Sequence, residues 1–253
     1  MSRPTRQRIL ITGASAGLGA EMARQFAADG RDLALCARRV DRLETLRDEL
    51  TAANPSITVA IHPLDVNDND AVFTVFGQLA DELGGLDRVI VNAGLGKGAK
   101  LGTGKFYANR ETAMTNFVAA LAQAEAAMEI FRAQESGHLV LVSSMSAMRG
   151  LPKSMTVYAA TKAALSHLGE GLQYELLGKP IKVTVLHCGY IASEMNEQVQ
   201  QQVRFMVPTD EGVRSMVAAI EKEKAHAYVP PLPWTALAPV MRHAPLPLLK
   251  RLL

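Results

Sequence analysis

The stretch from Arg8 to Gly19 (RILITGASAGLG) restricts the fold of this chain more than any other part of it. An apolar run of strand length breaks into a glycine turn, and the turn opens a helical pattern from Ala20 to Ala28. Strand, turn and helix start together present free backbone N–H groups and a positive dipole end to an anion. Glycines are needed where the backbone turns sharply or must come close to a pyrophosphate. The spacing is Gly13-x-x-x-Gly17-x-Gly19, with Ser15 and Leu18 inside the turn, and it reads as a dinucleotide site in an α/β protein. An ordinary glycine-rich turn is the bland alternative.

The elements that follow fit that reading. Leu33 to Ala37 forms the second strand and runs into Arg38-Arg39. In dinucleotide folds this position meets the adenosine ribose, where a carboxylate accepts the ribose hydroxyls and an arginine accommodates a 2′-phosphate. No acid stands at the strand end, and Asp41 reads as the cap of the next helix, so the position favours NADPH over NADH. Thr58 to Pro63 is the third strand. Beyond it Asp65, with Val66 beside it, can accept a hydrogen bond from an adenine amino group. Asp68 starts another helix, and the fourth strand, Arg88 to Val91, ends in Asn92-Ala93-Gly94, small enough to let a cofactor lie across the sheet edge.

The Gly- and Lys-rich stretch Gly96 to Lys105 is not a phosphate loop, since its spacing is wrong and Phe106 stands where a magnesium-binding Ser or Thr belongs. It reads as a surface loop. A long helix from Tyr107 to Arg132 carries Asn116 on an apolar face, where a buried amide needs partners. Gly137 to Val142 is a strand buried on both faces and ends in Ser143-Ser144.

Tyr158 and Lys162 then stand four apart, so they share one face of a helix whose other contacts (Thr161, Leu165, Leu168, Leu172, Leu176) are core. An unperturbed phenol titrates near ~10 and is a poor acid or base at neutral pH. An ammonium ~4 Å away at an effective dielectric of ~20 favours the phenolate by up to ~4 kcal/mol before desolvation opposes it. That suits Tyr158 to general acid–base work.

Composition limits the alternatives. The 253 residues are 48% hydrophobic and 21% charged with no linker or repeat, which favours one large domain over two small ones. A net charge of +2 is too small to argue for nucleic acid as the principal partner. Cys36 and Cys188 lack the spacing of a disulfide framework or zinc knuckle, the six histidines show no metal-ligand spacing, and no metal is expected. The apolar run Ile9 to Ile11 is far short of a signal peptide or membrane span, so the expected compartment is the cytoplasm.

In order and approximate spacing, the glycine turn, Asp65, Asn92-Ala93-Gly94, Asn116, Ser144 and Tyr158-x-x-x-Lys162 resemble the motif series of the short-chain dehydrogenase/reductase family, from Ile9 to about Val229. The resemblance implies a single-domain Rossmann fold over residues 1–229, a doubly wound parallel sheet of about seven strands. Residues 230–253 form a tail rather than an independent domain. It implies hydride transfer between a nicotinamide cofactor and an alcohol or carbonyl, with Tyr158 as acid/base and Lys162 holding the nicotinamide ribose while lowering the phenol's pKa. Ser144 would orient the substrate oxygen, and Asn116 would anchor a water that leads the proton away. Ile191 would contact the nicotinamide amide through its backbone and Ser193 would lie near the pyrophosphate. The family also implies a homo-oligomer, dimer or tetramer. Two departures stand out. One extra residue separates Ser144 from Tyr158, which keeps Ser143 and Ser146 as candidates, and Cys188-Gly189 replaces the usual Pro-Gly. Cys188 is either a reactive thiol or a small apolar filler.

Met145, Met148, Met155 and Met195 cluster around these positions and suggest a pliable, lipophilic substrate pocket. Glu194 to Val207 reads as a lid before the helix Thr209 to Glu221, and Ala227 to Val229 as the seventh strand. The tail is apolar and basic (Arg242, His243, Lys250, Arg251). It suits peripheral membrane contact, a cover for the substrate mouth or a subunit interface, with Pro239, Pro245 and Pro247 preventing one long helix. The resulting expectation is an NADPH-dependent carbonyl reductase. A non-catalytic NADPH-binding regulator is the rival, and the complete set Asn116, Ser144, Tyr158 and Lys162 argues against it. Epimerase or dehydratase chemistry calls for a larger C-terminal region than this chain offers.

Overall fold

In β1 (Arg8–Thr12) Ile9 and Ile11 go to one face and Leu10 to the other, all fully buried. That alternation repeats in β2 (Asp32–Ala37), where Leu33 and Leu35 join the first face and Ala34 and Cys36 the second. A strand buried on both sides needs helices on both sides. The computed structural model, which describes residues 6–96, 98–194, 205–247 and 249, supplies them. With β3 (Val59–Pro63), β4 (Arg88–Val91), β5 (Gly137–Ser144), β6 (Ile181–Cys188) and β7 (His226–Val229), the strands form one parallel sheet in the order β3-β2-β1-β4-β5-β6-β7.

α1 (Gly17–Ala28) and α7 (Thr209–Glu221) cover the first face with Met22, Phe26, Val213, Met216 and Ile220. The second is covered by α3 (Asn69–Leu83), α5 (Ala119–Ala133) and α6 (Met155–Glu175), with Phe76, Leu79, Phe131 and Leu165 at the contact. Each such side chain contributes roughly 1.5–3 kcal/mol when fully buried. α3 shows how the sequence sets an element. Asp68 caps it by accepting from the Ala71 N–H at 3.1 Å, Val72, Val75, Phe76 and Leu79 make its inner stripe, and Gly84 ends it at φ 70°.

A buried polar cluster ties the base of the sheet to α7. Arg88 Nη1 lies 2.6 Å from Glu221, and its Nε donates to His138 Nδ1 at 2.9 Å. Since arginine can only donate, His138 is the neutral tautomer that donates from Nε2 to Thr184 Oγ1 at 2.8 Å.

Three expectations change. Asp41 is not the cap of α2 (Val40–Ala53), because Arg39 holds the cap position and Asp41 falls in the first turn, where its charge meets the positive dipole end. The predicted helix from Tyr107 to Arg132 is α4 (Phe106–Ala113), a π-helical turn over Met114–Val118 and then α5, so Asn116 sits in a break of the hydrogen-bond ladder. The tail forms α8 (Pro231–His243), kinked at Leu232; it ends before Pro245 and Pro247 as expected, but continues through Pro239. Buried Trp234, Ala238 and Met241 fasten it to Met145, and that packing outweighs the lost backbone bond. The expected lid falls largely outside the described residues, as does Met195.

Candidate active site

The sheet order places the change of winding direction between β1 and β4, and nucleotides bind at the carboxyl ends of strands at such a point. Both strand ends converge there on Thr12, which the sequence did not single out. Its hydroxyl accepts from the Asn92 and Ala93 N–H groups at 3.0 and 3.1 Å, and its carbonyl accepts from Asn92 Nδ2 at 2.9 Å. The one signal in the sequence was a polar residue ending an apolar strand. Gly13 and Gly17 take left-handed backbone (φ 66° and 54°), and a Cβ on Gly13 would lie 3.0 Å from the Ala93 Cα. α1 begins at Gly17 behind Ala16, whose side chain makes no cap, so the first-turn N–H groups are presented to a ligand.

Beside the turn, Ser15 Oγ accepts from Arg39 Nε at 3.2 Å, while Arg38 is exposed. Arg39 and Arg42 both reach Glu194, a pairing with no signal in the sequence. Asp65 is exposed and uses Oδ1 to accept from the backbone and side-chain nitrogens of Asn67, both at 3.0 Å, while Val66 is buried beside it. Ile191 is buried and bridges to Val207, and Ser193 packs over Gly17. An open depression of about 460 Å³ is lined by Gly17, Ala192, Ser193, Glu194 and Thr209.

At the other end of this groove, β5 delivers Ser144, α6 delivers Tyr158 and Lys162, and the π-helical turn delivers Asn116. The Ser144 hydroxyl faces the Tyr158 phenol, whose pKa it lowers, and accepts from the Ser146 N–H at 3.1 Å. Ser143 is used otherwise, donating to the Lys162 carbonyl at 2.9 Å and bonding Ser166. Among the three serines, Ser144 is the one whose hydroxyl acts on the phenol, while Ser143 is bonded elsewhere. Asn116, 1% exposed, clamps Leu95 with both side-chain atoms, accepting from its N–H at 2.7 Å and donating to its carbonyl at 2.8 Å. Gly94 lies between Asn116 and Lys162, since a Cβ there would be 3.3 Å from Asn116 Oδ1 and 3.6 Å from Lys162 Nζ.

Lys162, 6% exposed, donates to the Val142 carbonyl at 2.8 Å and stands 5.9 Å from the centre of the Tyr158 ring. The expected depression of the phenol by this ammonium is absent from the free protein. Burial instead pushes Tyr158 up to about 12 against the opposing Ser144 bond, because the lysine is directed to a backbone carbonyl rather than the phenol. Burial also pulls Lys162 down from 10.5 to about 8. Between those values the unfolded chain binds more protons than the folded one, so stability rises with pH from about 8 to 10.5 and this gain is lost as pH falls back. Lys162→Met removes that titration. The wild-type minus variant difference in urea-unfolding free energy should therefore grow across the window, and a difference flat in pH would contradict a desolvated ammonium.

Cys188 pairs with Ser144 across β5 and β6. Burial pushes its thiol up to about 12, so it is neutral and packs as a small apolar group at this point. Gly189 follows because the indole of Trp234 lies directly on it, where any Cβ would collide with the ring. Trp234 meets Tyr190 and Phe205 edge-on at centroid distances of 5.7 and 6.3 Å and packs with Met145, Met148 and Leu237. The rim beside Ser144 is thus aromatic and methionine-rich, and the tail builds much of it. The sequence pointed to the methionines but not to Trp234.

These residues fit a dinucleotide. Ala16 leaves the start of α1 without a side-chain cap, Gly94 keeps clear the space before Lys162, and two arginines stand at the end of β2. A groove of this kind leading to a phenol that faces a hydroxyl has the parts to move a hydride and a proton, which makes the protein an oxidoreductase of the dinucleotide-binding class. Residues 7–204 match the family described as short chain dehydrogenase, and the chain belongs to that family, whose members act on CH–OH groups with NAD(P). It is 55% identical over 237 residues to an uncharacterized oxidoreductase of Mycobacterium tuberculosis, covering 94% of this chain and 93% of the relative. A short chain dehydrogenase from Burkholderia cenocepacia, solved in complex with NADP, superposes with a TM-score of 0.79 at 26% identity over 91% of this chain and 98% of the other. One from Burkholderia phymatum, solved with NAD, shares the fold at a TM-score of 0.84 and 20% identity over 96% and 94%.

Proposed function

We propose that this enzyme is an NADPH-dependent carbonyl reductase, reversible as an alcohol dehydrogenase, acting on a lipophilic ketone or aldehyde. The observation that carries the reading is the convergence of Ser144, Tyr158 and Lys162, with Lys162 Nζ 5.9 Å from the centre of the Tyr158 ring, beside the Met145–Trp234 wall. NADPH supplies the hydride when bound. Ser144 orients the substrate oxygen, and Tyr158 gives it the proton that neutralises the developing alkoxide. Lys162 brings positive charge to the ribose side of the site. Asn116 acts by position, since its amide fixes the Leu95 backbone at the edge of the groove and leaves the π-helical turn to hold a proton-relaying water.

What supports NADPH over NADH is that Arg38 and Arg39 follow the end of β2, the position that meets the adenosine ribose in dinucleotide folds, with Arg39 bonded to Ser15 of the glycine turn, and that the Burkholderia cenocepacia relative was solved with NADP. A charge-assisted contact of this kind contributes about 1.5–3 kcal/mol, or roughly 10- to 100-fold in affinity. Residues 1–229 are read as the nucleotide-binding and catalytic domain and 230–253 as a tail that walls the substrate mouth. Its buried apolar stripe supports that role over peripheral membrane contact. Among the described residues no helix is long and apolar enough to cross a membrane, and a cytoplasmic homo-oligomer, dimer or tetramer, completes the reading.

The test is a steady-state panel. NADPH should exceed NADH in kcat/KM by about tenfold or more, and long-chain or polycyclic ketones should exceed small polar ones by a similar factor. Trp234→Ala should narrow the second ratio and leave the first unchanged. A panel led by small polar ketones overturns the lipophilic assignment, and equal use of the two cofactors overturns NADPH.

A further inference from the structure

Arg39 and Arg42 lie at the start of α2, on one side of the nucleotide groove, and Glu194 reaches them from the other. The segment carrying Glu194 is well anchored. Thr209 Oγ1 donates to the Ala192 carbonyl at 2.8 Å, the Ala192 N–H donates to the Val207 carbonyl at 2.9 Å, and Ser193 packs over Gly17. From there the carboxylate spans the groove mouth and gives one oxygen to each arginine, at 2.7 Å from Arg42 Nη1 and 3.3 Å from Arg39 Nη1. Arg39 keeps its Nε on Ser15 throughout. Two guanidiniums held by one anion beside a glycine turn have the charge and geometry to hold a phosphate monoester. A phosphate on the same pair would face the Glu194 carboxylate at close range, and two like charges so placed repel.

We propose that Glu194 is a built-in competitor for the 2′-phosphate of NADPH, and that Arg42 together with Arg39 forms the anchor the phosphate takes from it. This rests on the NADPH reading above. The phosphate carries more charge and a third oxygen, so it wins the arginines and Glu194 is released. The affinity for a 2′-phosphorylated nucleotide is thereby held below what the arginines alone would give, while a nucleotide lacking that phosphate makes no such exchange.

The experiment is calorimetric titration of 2′,5′-ADP and of 5′-ADP into the free enzyme, its Glu194→Gln and Arg42→Ala variants, and an Arg39→Ala control. Glu194 and Arg42 are both exposed, so the variants fold, and thermal melts verify this. Glu194→Gln should tighten 2′,5′-ADP about fivefold, equivalent to about 1 kcal/mol, and leave 5′-ADP within about twofold. Arg42→Ala should weaken 2′,5′-ADP about tenfold with the same selectivity. Equal tightening of both nucleotides in Glu194→Gln, or no change in either, overturns the proposal and leaves the NADPH reading intact. A wild-type enzyme that binds 2′,5′-ADP no tighter than 5′-ADP, with Arg39→Ala indifferent to both, overturns the NADPH reading and this proposal with it.

Discussion

Tyr158→Phe is expected to lower kcat by about 10³-fold while NADPH affinity and the thermal melt stay close to wild type. The substitution removes one oxygen and keeps the ring, so α6 retains its packing and Lys162 retains its bond to the Val142 carbonyl. What is lost is the proton donor that faces Ser144. Single-turnover oxidation of bound NADPH by a hydrophobic ketone is the direct readout, because product release cannot mask a slow chemical step. Retention of more than about a tenth of the wild-type rate would remove Tyr158 from the chemistry.

Gly19→Ala should have the second largest effect. A methyl there would collide with the Gly13 carbonyl and come within 2.8 Å of Asn92 Nδ2, the atom that holds the Thr12 carbonyl. The first of these is backbone, so no side-chain rotation relieves it and the turn itself must open. Nucleotide affinity should fall at least about 100-fold, and stability by roughly 1–3 kcal/mol from overpacking. Gly171→Ala is the control. That glycine lies within α6 with nothing in 4 Å of its added methyl, and the change should stabilise the protein by roughly 0.5–1 kcal/mol. Equal behaviour of the two variants in urea unfolding and nucleotide titration would contradict the crowding at Gly19.

Much of the scaffold was legible in the sequence because local rules and the global fold agree. β1, β4 and α7 begin and end where their apolar runs, glycines and caps put them. Tyr158 and Lys162 could be paired on helical spacing alone, and Ser144 was picked from three serines by its place in the motif series. The misreadings came where a local rule met a tertiary contact. Pro239, Pro245 and Pro247 were expected to prevent one long helix, and α8 does end before Pro245, yet it runs through Pro239 because Trp234 and Met241 are buried against Met145. Lys162 was expected to lower the Tyr158 pKa, yet partial burial raises it to about 12 while the Lys162 ammonium is bonded to the Val142 carbonyl, twenty residues away in sequence.

The sequence by itself determined the β1 strand, the glycine turn that ends it and the helix face that carries Tyr158 and Lys162. Each follows from residues within a turn or a strand of one another, where spacing and backbone preference are decisive. Only the tertiary structure decided that Thr12 staples β1 to the end of β4, that Glu194 crosses the groove to Arg39 and Arg42, and that Trp234 seats on Gly189. Those contacts join residues from about 45 to 155 positions apart, where spacing along the chain carries no distance information and packing alone sets the neighbours.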